Sequence, residues 1–327
     1  MKARLKIIDR ILERIAQSQS ICIVGHIRPD GDCVGSQLGL AFALQKEGKD
    51  VYCWNENQMP NKYAFLDPDK VLRKPGRTQD FDLVIAVDCA SYDRLGSLGE
   101  AVSRRKYLIN IDHHQSNTRY GDLNWISARE ASTGELIFRL LRTARWPITP
   151  AIADCLFTAV STDTGSFQYS TTKPVTYHTA GELVKLGANL EKICHEVYQS
   201  YSLSRVHLLQ HVYNHFHLGH HNQIAWLWLK KNDFVRTGAD RDDTEGLIDH
   251  IRAIEPVVVA CIFEEVETDS IRISLRSKSP RINVNTILSQ FGGGGHASAA
   301  GARIAGTARA VQRKVIDAVK RALDAAT

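Results

Sequence analysis

The sequence predicts an α/β protein: an N-terminal doubly wound, mainly parallel sheet, followed by a smaller C-terminal α/β domain. Three observations carry this. Short apolar runs of buried-strand type (SICIV, FDLVIAV, YLINI) alternate with helical patterns through the first half of the chain. From about 174 to 217 the pattern turns continuously helical, and strands and helices then alternate again to the C terminus.

Taken in order, MKARLKIIDRILERIAQ has the apolar spacing of an amphipathic helix ending near Ser18, and not that of a secretory signal. A strand at 21–24 leads through a loop bearing Pro29 and Gly31 into a helix through 34–46, then a strand at 51–54. Strands near 83–87 and 108–111 precede helices at 132–142 and 152–161. Gly181 and Gly187 punctuate the helical stretch. The last part begins with the strand QIAWLWL and a helix around 245–254, then adds strands VVVACIFEE and SIRISLRS. A helix at 285–291, a strand near Ala302 and a helix at 308–325 close the chain. The expected domains are therefore 1–180 and 218–327, joined by a helical connector at 181–217.

With 327 residues, 43% hydrophobic and 24% charged, the chain has the composition of an ordinary globular protein and the length for two cores. No apolar stretch approaches the roughly 20 residues a membrane span needs, so a cytoplasmic protein without membrane contact is expected. The seven cysteines form no CxxC pair, which suits reduced thiols better than a disulfide scaffold. A net charge of +5 agrees with an anionic substrate. No stable protein partner is expected, and a homodimer is compatible with the sequence.

The chemistry lies in four short segments: GHIRPDGDCVGS at 25–36, VDCA at 87–90, DHHQSN at 112–117 and STDTGSF at 161–167. Three of them follow apolar strand patterns, and open α/β sheets gather their ligands at the carboxyl ends of strands. A tight turn lets His26, Asp30 and Asp32 face one point. Asp88, Asp112, His113 and His114 sit at the exits of other strands, and Asp163 at a helix-to-loop boundary. One Asp in a loop is more often a turn former, but four such segments together indicate a site. Carboxylates with one or two imidazoles favour Mn²⁺ or Mg²⁺, and the mutual repulsion of four or more carboxylates makes two ions the natural count.

The ordered motifs HxxPDGDxxGS, VDxA, DHHxxN and TDTGxF resemble the DHH phosphoesterase family over roughly the first half of the chain. That family includes RecJ-type exonucleases, family II inorganic pyrophosphatases and NrnA-type nano-RNases. The resemblance implies a centre of two Mn²⁺ ions, with Mg²⁺ or another divalent cation as substitute. By it His26 and Asp30 hold one ion, Asp32, His113 and Asp163 the other, and Asp88 bridges them. Asp112 orients a neighbouring histidine, and His114 faces the scissile phosphate as its stabiliser or as the acid for the leaving oxygen. Gly35 and Ser36 either present backbone N–H groups to an anion or simply begin a helix.

Further along, FGGGGHASAAG at 291–301, with SLRSKSPRINVN and DDTEGLIDHIR, resembles the DHH-associated domain of NrnA-type enzymes. It implies that Arg276, Ser277, Arg281 and His296 grip the phosphate and base of a short nucleotide, with Gly293, Gly294 and Gly295 bringing backbone N–H groups close to it. The implied partner is a short RNA or nucleotide substrate. The implied reaction is hydrolysis, by a metal-activated water, of very short oligoribonucleotides to mononucleotides and of 3′-phosphoadenosine 5′-phosphate to AMP and phosphate. A linear or cyclic dinucleotide phosphodiesterase shares both domains and stands as the alternative. A RecJ-like single-strand DNA exonuclease calls for a further domain, a pyrophosphatase lacks the glycine–histidine segment, and a nucleotide sensor has no need of intact ligands. His207, His211 and His215 recur at helical spacing, but no acidic or thiol partner accompanies them in the sequence. Cys33 and Cys89 read as small buried fillers, and Trp226 and Trp228 as strand core.

Overall fold

Strands β1 (Ser20–Val24), β2 (Asp50–Trp54), β3 (Leu72–Arg73), β4 (Leu83–Val87), β5 (Leu108–Asp112) and β6 (Leu123–Ile126) form one wholly parallel sheet. Their order is β3-β2-β1-β4-β5-β6, so the winding reverses between β1 and β4. In the computed structural model, which describes residues 6–267 and 270–326, this sheet belongs to the first of two compact units that divide at residue 200.

The apolar runs form strands because both of their faces are buried. Ile21 and Ile23 of β1 and Leu83, Ile85 and Val87 of β4 enter one core, which they share with α1 (Ile7–Gln17), α2 (Gly31–Lys46) and two later helices. Cys22, Val24, Val84 and Ala86 enter a second core on the opposite face, around the short helix α3 (Leu98–Ala101). The helices that complete the first layer are α4 (Thr133–Ala144) and α5 (Pro150–Asp163). β3 and β6 escape a search for apolar runs: one is two residues long and the other, LNWI, alternates buried and half-buried residues.

Contact between α2 and α5 is set by glycine. Gly31, Gly35 and Gly39 repeat every four residues and so line one face of α2. A Cβ at Gly35 would lie 2.3 Å from the Cys155 carbonyl oxygen, and one at Gly31 2.3 Å from Thr162 Oγ1. Gly35 is thus committed to packing, and Ser36, fully buried, donates its hydroxyl to Asp32 (3.2 Å). The reading of this pair as an anion-binding helix start gives way to that packing.

The helical stretch is not continuous. It divides into α6 (Pro174–Lys185), α7 (Leu190–Cys194), one π-type turn (His195–Gln199) and α8 (Leu203–His215), and His217 already belongs to a strand. The side chains of Asn189 and Ser202 cap the new starts by accepting from Lys192 N and Arg205 N. α6 and α7 lie in the first unit and α8 in the second.

The second unit is built on a mixed sheet of β7 (His217–Gly219), β8 (Ile224–Leu229), β9 (Val259–Glu267), β10 (Ser270–Ser277), β11 (Gly294–Gly295) and β12 (Ala299–Ala305), ordered β11-β12-β10-β9-β8-β7. Only β8 and β9 pair in parallel. Its helices are α9 (Lys231–Thr237), α10 (Leu247–Arg252), α11 (Val284–Ser289) and α12 (Ala308–Asp324). α11 and α12 cover one face, and α8 and α10 cover β8 and β9 on the other. Trp226 and Trp228 pack on the α12 side, where Trp228 Nε1 donates to Gln312, while Leu227 and Leu229 fill the opposite core. The expectation that no acid accompanies the histidine ladder of α8 is corrected: Asp233 of α9 lies 3.5 Å from His211 Nε2. Tertiary packing supplies it from 22 residues away in sequence. Among the described residues, no helix is long and apolar enough to cross a membrane.

Substituting Gly35→Ala should lower unfolding stability by about 2 kcal/mol, since its Cβ must force α2 from α5. Thermal melting checks this, and an unchanged Tm would refute the close-contact account.

Candidate metal centre

β1, β4 and β5 end side by side across the point where the winding reverses, and each delivers part of the site. His26 follows β1 by two residues, Asp88 follows β4 directly, and Asp112 is the last residue of β5. Asp30 caps α2 by accepting from Cys33 N (3.1 Å), Asp32 lies in the first turn of α2, and Asp163 ends α5. The glycine-lined contact sets Gly31 against Thr162, so the start of α2 and the end of α5 meet.

Asp88 is central. Its Oδ2 lies 3.4 Å from His26 Nε2, while its Oδ1 lies 3.6 Å from both His113 Nε2 and His114 Nδ1. The two oxygens of one carboxylate thus face different partners. Its backbone has φ 52°, a strained left-handed geometry for a non-glycine residue. Asp88 N donates to Ile111 O (3.0 Å) and Thr133 Oγ1 donates to Asp88 Oδ1 (3.1 Å), which hold it there. His26 Nε2 also approaches Asp30 Oδ1 (3.8 Å), and His113 Nε2 approaches Asp163 Oδ2 (3.2 Å) and Asp32 Oδ2 (3.6 Å). His114 Nδ1 lies 2.7 Å from Asp112 Oδ1.

The charges are strongly coupled. Burial, reinforced by Asp88, Asp163 and Asp30, holds the Asp32 carboxyl well above its usual range. Against the same burial, the histidines hold Asp88 and Asp112 below theirs, and hydrogen bonding to His26 does so for Asp30. His26 is pushed up to about 9: burial and Arg94 oppose its charge, but its hydrogen bonds to the Asp30 and Asp88 carboxylates outweigh them. Its Nδ1 lies 2.8 Å from Ile27 O and 3.3 Å from Arg94 Nη2, whereas Nε2 faces Asp88 and Asp30 and is the nitrogen for a cation. Cys33 and Cys89 are buried; burial drives the Cys33 thiol well up and Cys89 to about 12, as fits inert fillers.

This donor set fits divalent cations. An ion about 2.1 Å from hard oxygen donors needs those donors roughly 3 Å apart, close to the separations here. Asp32, His113 and Asp163 form one cluster of ligand atoms within 4.8 Å of one another. His26 and Asp88 belong to a second, and Asp88, Asp112 and His114 to a third.

Several further residues support these groups, and of them only Asn117 lies within a motif. The backbone N–H groups of Thr133 and Gly134, at the start of α4, donate to Asp32 (2.7 and 2.8 Å). Asn117 donates to Asp112 Oδ2 (2.6 Å). Buried Asn55 donates to His26 O (3.1 Å) and to Gln37 Oε1 (3.1 Å), fixing the loop after β1. A fully buried glutamine within an apolar helical pattern is the one sequence signal of that support.

In the second unit Arg276 ends β10 opposite Ala299 of β12, and His296 closes the β11–β12 turn through His296 N to Ala299 O (2.7 Å). The sheet therefore brings Arg276 and His296 to one end. Ser277 is buried, and its hydroxyl donates to Ser279 O (3.1 Å) in a local turn. Gly294 and Gly295 are β11, and Gly293 precedes it. A Cβ at Gly293 or Gly295 would lie 2.5 Å from Gly301 O or 2.4 Å from Ala299 O, so both are required by the close approach of β12. Arg281 lies elsewhere: with Arg321 it lines a groove of about 320 Å³ between α11 and α12.

A parallel α/β sheet with buried carboxylates and imidazoles at its reversal point is an arrangement suited to holding divalent cations for hydrolysis. Residues 20–160 match the DHH family, N-terminal domain, and residues 224–326 match the DHHA1 domain. The bifunctional oligoribonuclease and PAP phosphatase NrnA of Thermus thermophilus is 30% identical over 98% of this chain and 94% of its own length. The protein of that name from Mycoplasma genitalium is 31% identical over 96% and 97%. An exopolyphosphatase-related protein of Bacteroides fragilis superimposes with a TM-score of 0.86 at 27% identity, covering 96% of each chain. The chain belongs to the DHH family and is a phosphoesterase.

Because metal-free His26 keeps its proton up to about pH 9, a cation must displace it. Mn²⁺ binding should therefore release protons and tighten as pH rises from 6.5 toward 9. Titration calorimetry in buffers of different ionisation enthalpy reads this, and pH-independent binding without proton release would refute it.

Proposed function

We propose that this phosphoesterase hydrolyses very short oligoribonucleotides to mononucleotides, and 3′-phosphoadenosine 5′-phosphate to AMP and phosphate, with two divalent cations, Mn²⁺ foremost. The observation that carries the proposal is the position of Asp88, whose two oxygens face separate donor groups as a bridge between two ions requires. The names of the relatives support the substrate class.

In this reading His26, Asp30 and Asp88 would hold one ion, and Asp32, His113, Asp163 and Asp88 the other. When bound, such ions neutralise phosphate charge and lower the pKa of an attacking water. The chain does the rest. Asp112 engages Nδ1 of His114, which leaves Nε2 to meet the substrate and stabilises the imidazolium that protonates the leaving oxygen. The α4 start and Asn117 keep Asp32 and Asp112 in place. Arg276 and His296 grip the non-reacting end of the nucleotide, with Ser277 shaping the adjoining turn and Gly293, Gly294 and Gly295 its backbone wall. Arg281 faces the α11–α12 groove and stands apart from that set.

Mn²⁺-loaded protein challenged in parallel with RNAs of two to five nucleotides, 3′-phosphoadenosine 5′-phosphate, cyclic dinucleotide and pyrophosphate should cleave the first two classes. Cleavage of pyrophosphate alone, or of none, would overturn the proposal. Asp88→Ala should lower kcat at least 1,000-fold (about 4 kcal/mol or more), whereas Arg276→Ala should raise KM about tenfold with kcat within about threefold. Equal kcat losses would deny this division of labour.

A further inference from the structure

The mixed sheet has a partly open face of which the proposed reaction uses only the end at Arg276. β10 buries Ile271, Ile273 and Leu275 and turns Arg272, Ser274 and Arg276 the other way. Across the ladder Arg303 pairs with Arg272, Gly301 with Ser274 and Ala299 with Arg276, and both Arg303 and Gly301 are exposed. Gly294 flanks Gly301 on the far side. Two arginines thus stand at one end of this surface and one at the other, with a floor between them almost bare of side chains.

Folding alone explains neither feature. A glycine inside a strand costs about 0.5–1 kcal/mol. At Gly301 an added Cβ would meet only Ile273 O, at 3.5 Å, an ordinary contact, and its φ lies outside the left-handed region. Its own packing makes no demand for glycine, unlike that of Gly293 and Gly295, so a bare backbone here suits close approach by a ligand. Arginines directly opposite one another are also unfavourable. Buried Glu264 of β9, opposite Arg272, pairs with it and lies 3.6 Å from Arg241. One carboxylate among three guanidiniums leaves an excess of positive charge, and Glu264 holds Arg272 in position.

We propose that this face is a track for the phosphodiester backbone of a single-stranded oligonucleotide, with Arg272 and Arg303 holding a phosphate remote from the one at Arg276. The proposal rests on the oligonucleotide reading of the active site and adds the basis of length preference. Four residues of strand span about 13 Å, longer than the single phosphodiester step of a dinucleotide. A dinucleotide held at Arg276 falls short of the arginine pair; a pentanucleotide reaches it. Glycine between the charges lets the chain lie flat on the sheet.

The test compares wild type, Arg303→Ala and Gly301→Val as full-length, Mn²⁺-loaded protein on RNAs of two and five nucleotides. Both variants should raise KM for the pentanucleotide about tenfold while KM for the dinucleotide moves less than twofold. Arg303→Ala should also reduce the salt slope of pentanucleotide binding by about 0.7, the loss of one phosphate contact. Gly301→Val should melt no lower than wild type. Parallel changes for both lengths, no change for either, or an unaltered salt slope would overturn the track. If wild type cleaves no RNA, the functional reading fails separately, and anisotropy of a labelled pentanucleotide on wild type and Arg303→Ala still decides the track.

Discussion

Burial of carboxylates within one another's reach is the constraint around which the first unit is built. Asp32, Asp88 and Asp112 are each about 1% exposed or less. An ionised carboxylate in such a place costs several kcal/mol unless charge and hydrogen bonds compensate it. Here the compensation is distributed: the histidines face Asp88, the start of α4 donates two backbone N–H groups to Asp32, and Asn117 donates to Asp112. Asp32 is the member whose carboxyl is raised, because burial and the neighbouring carboxylates Asp88, Asp163 and Asp30 outweigh its donors.

Packing far from the chemistry fixes that arrangement. Because α2 carries glycine at every fourth position, its backbone can lie against α5, which brings the first turn of α2 beside the last turn of α5. Asp30 and Asp32 enter from one helix end and Asp163 from the other. The parallel sheet does the equivalent for His26, Asp88 and Asp112, since adjacent parallel strands finish on the same side. Strain at Asp88 is tolerated because the ladder bond to Ile111 and the hydroxyl of Thr133 both hold it.

The second unit solves a different problem with a different sheet. β12 must lie close to β11, so the glycines at 293 and 295 answer to backbone neighbours in the same unit. At Gly301 an added Cβ would meet only Ile273 O, at 3.5 Å, an ordinary contact. The glycine-rich segment therefore mixes positions demanded by the fold with one that folding leaves open, a distinction invisible in the letters FGGGGHASAAG.

Much of this was readable from residue order. Apolar runs marked β1, β4 and β5 because strands buried on both faces have little room for polar residues, and the four short motifs contain the carboxylates and imidazoles that the strand and helix ends bring together. β3 and β6 were illegible, being too short or too mixed to stand out, and so were the breaks at Asn189 and Ser202, which depend on caps. The support from Asn55 and Thr133 was equally hidden, since each acts on a residue distant in sequence. Residue types and spacing thus specify which chemistry is available, because ligand identity is a local property. Which oxygen of Asp88 faces which histidine, and which glycines are occupied by packing, are set by contacts between distant segments, and those exist only once the chain has folded.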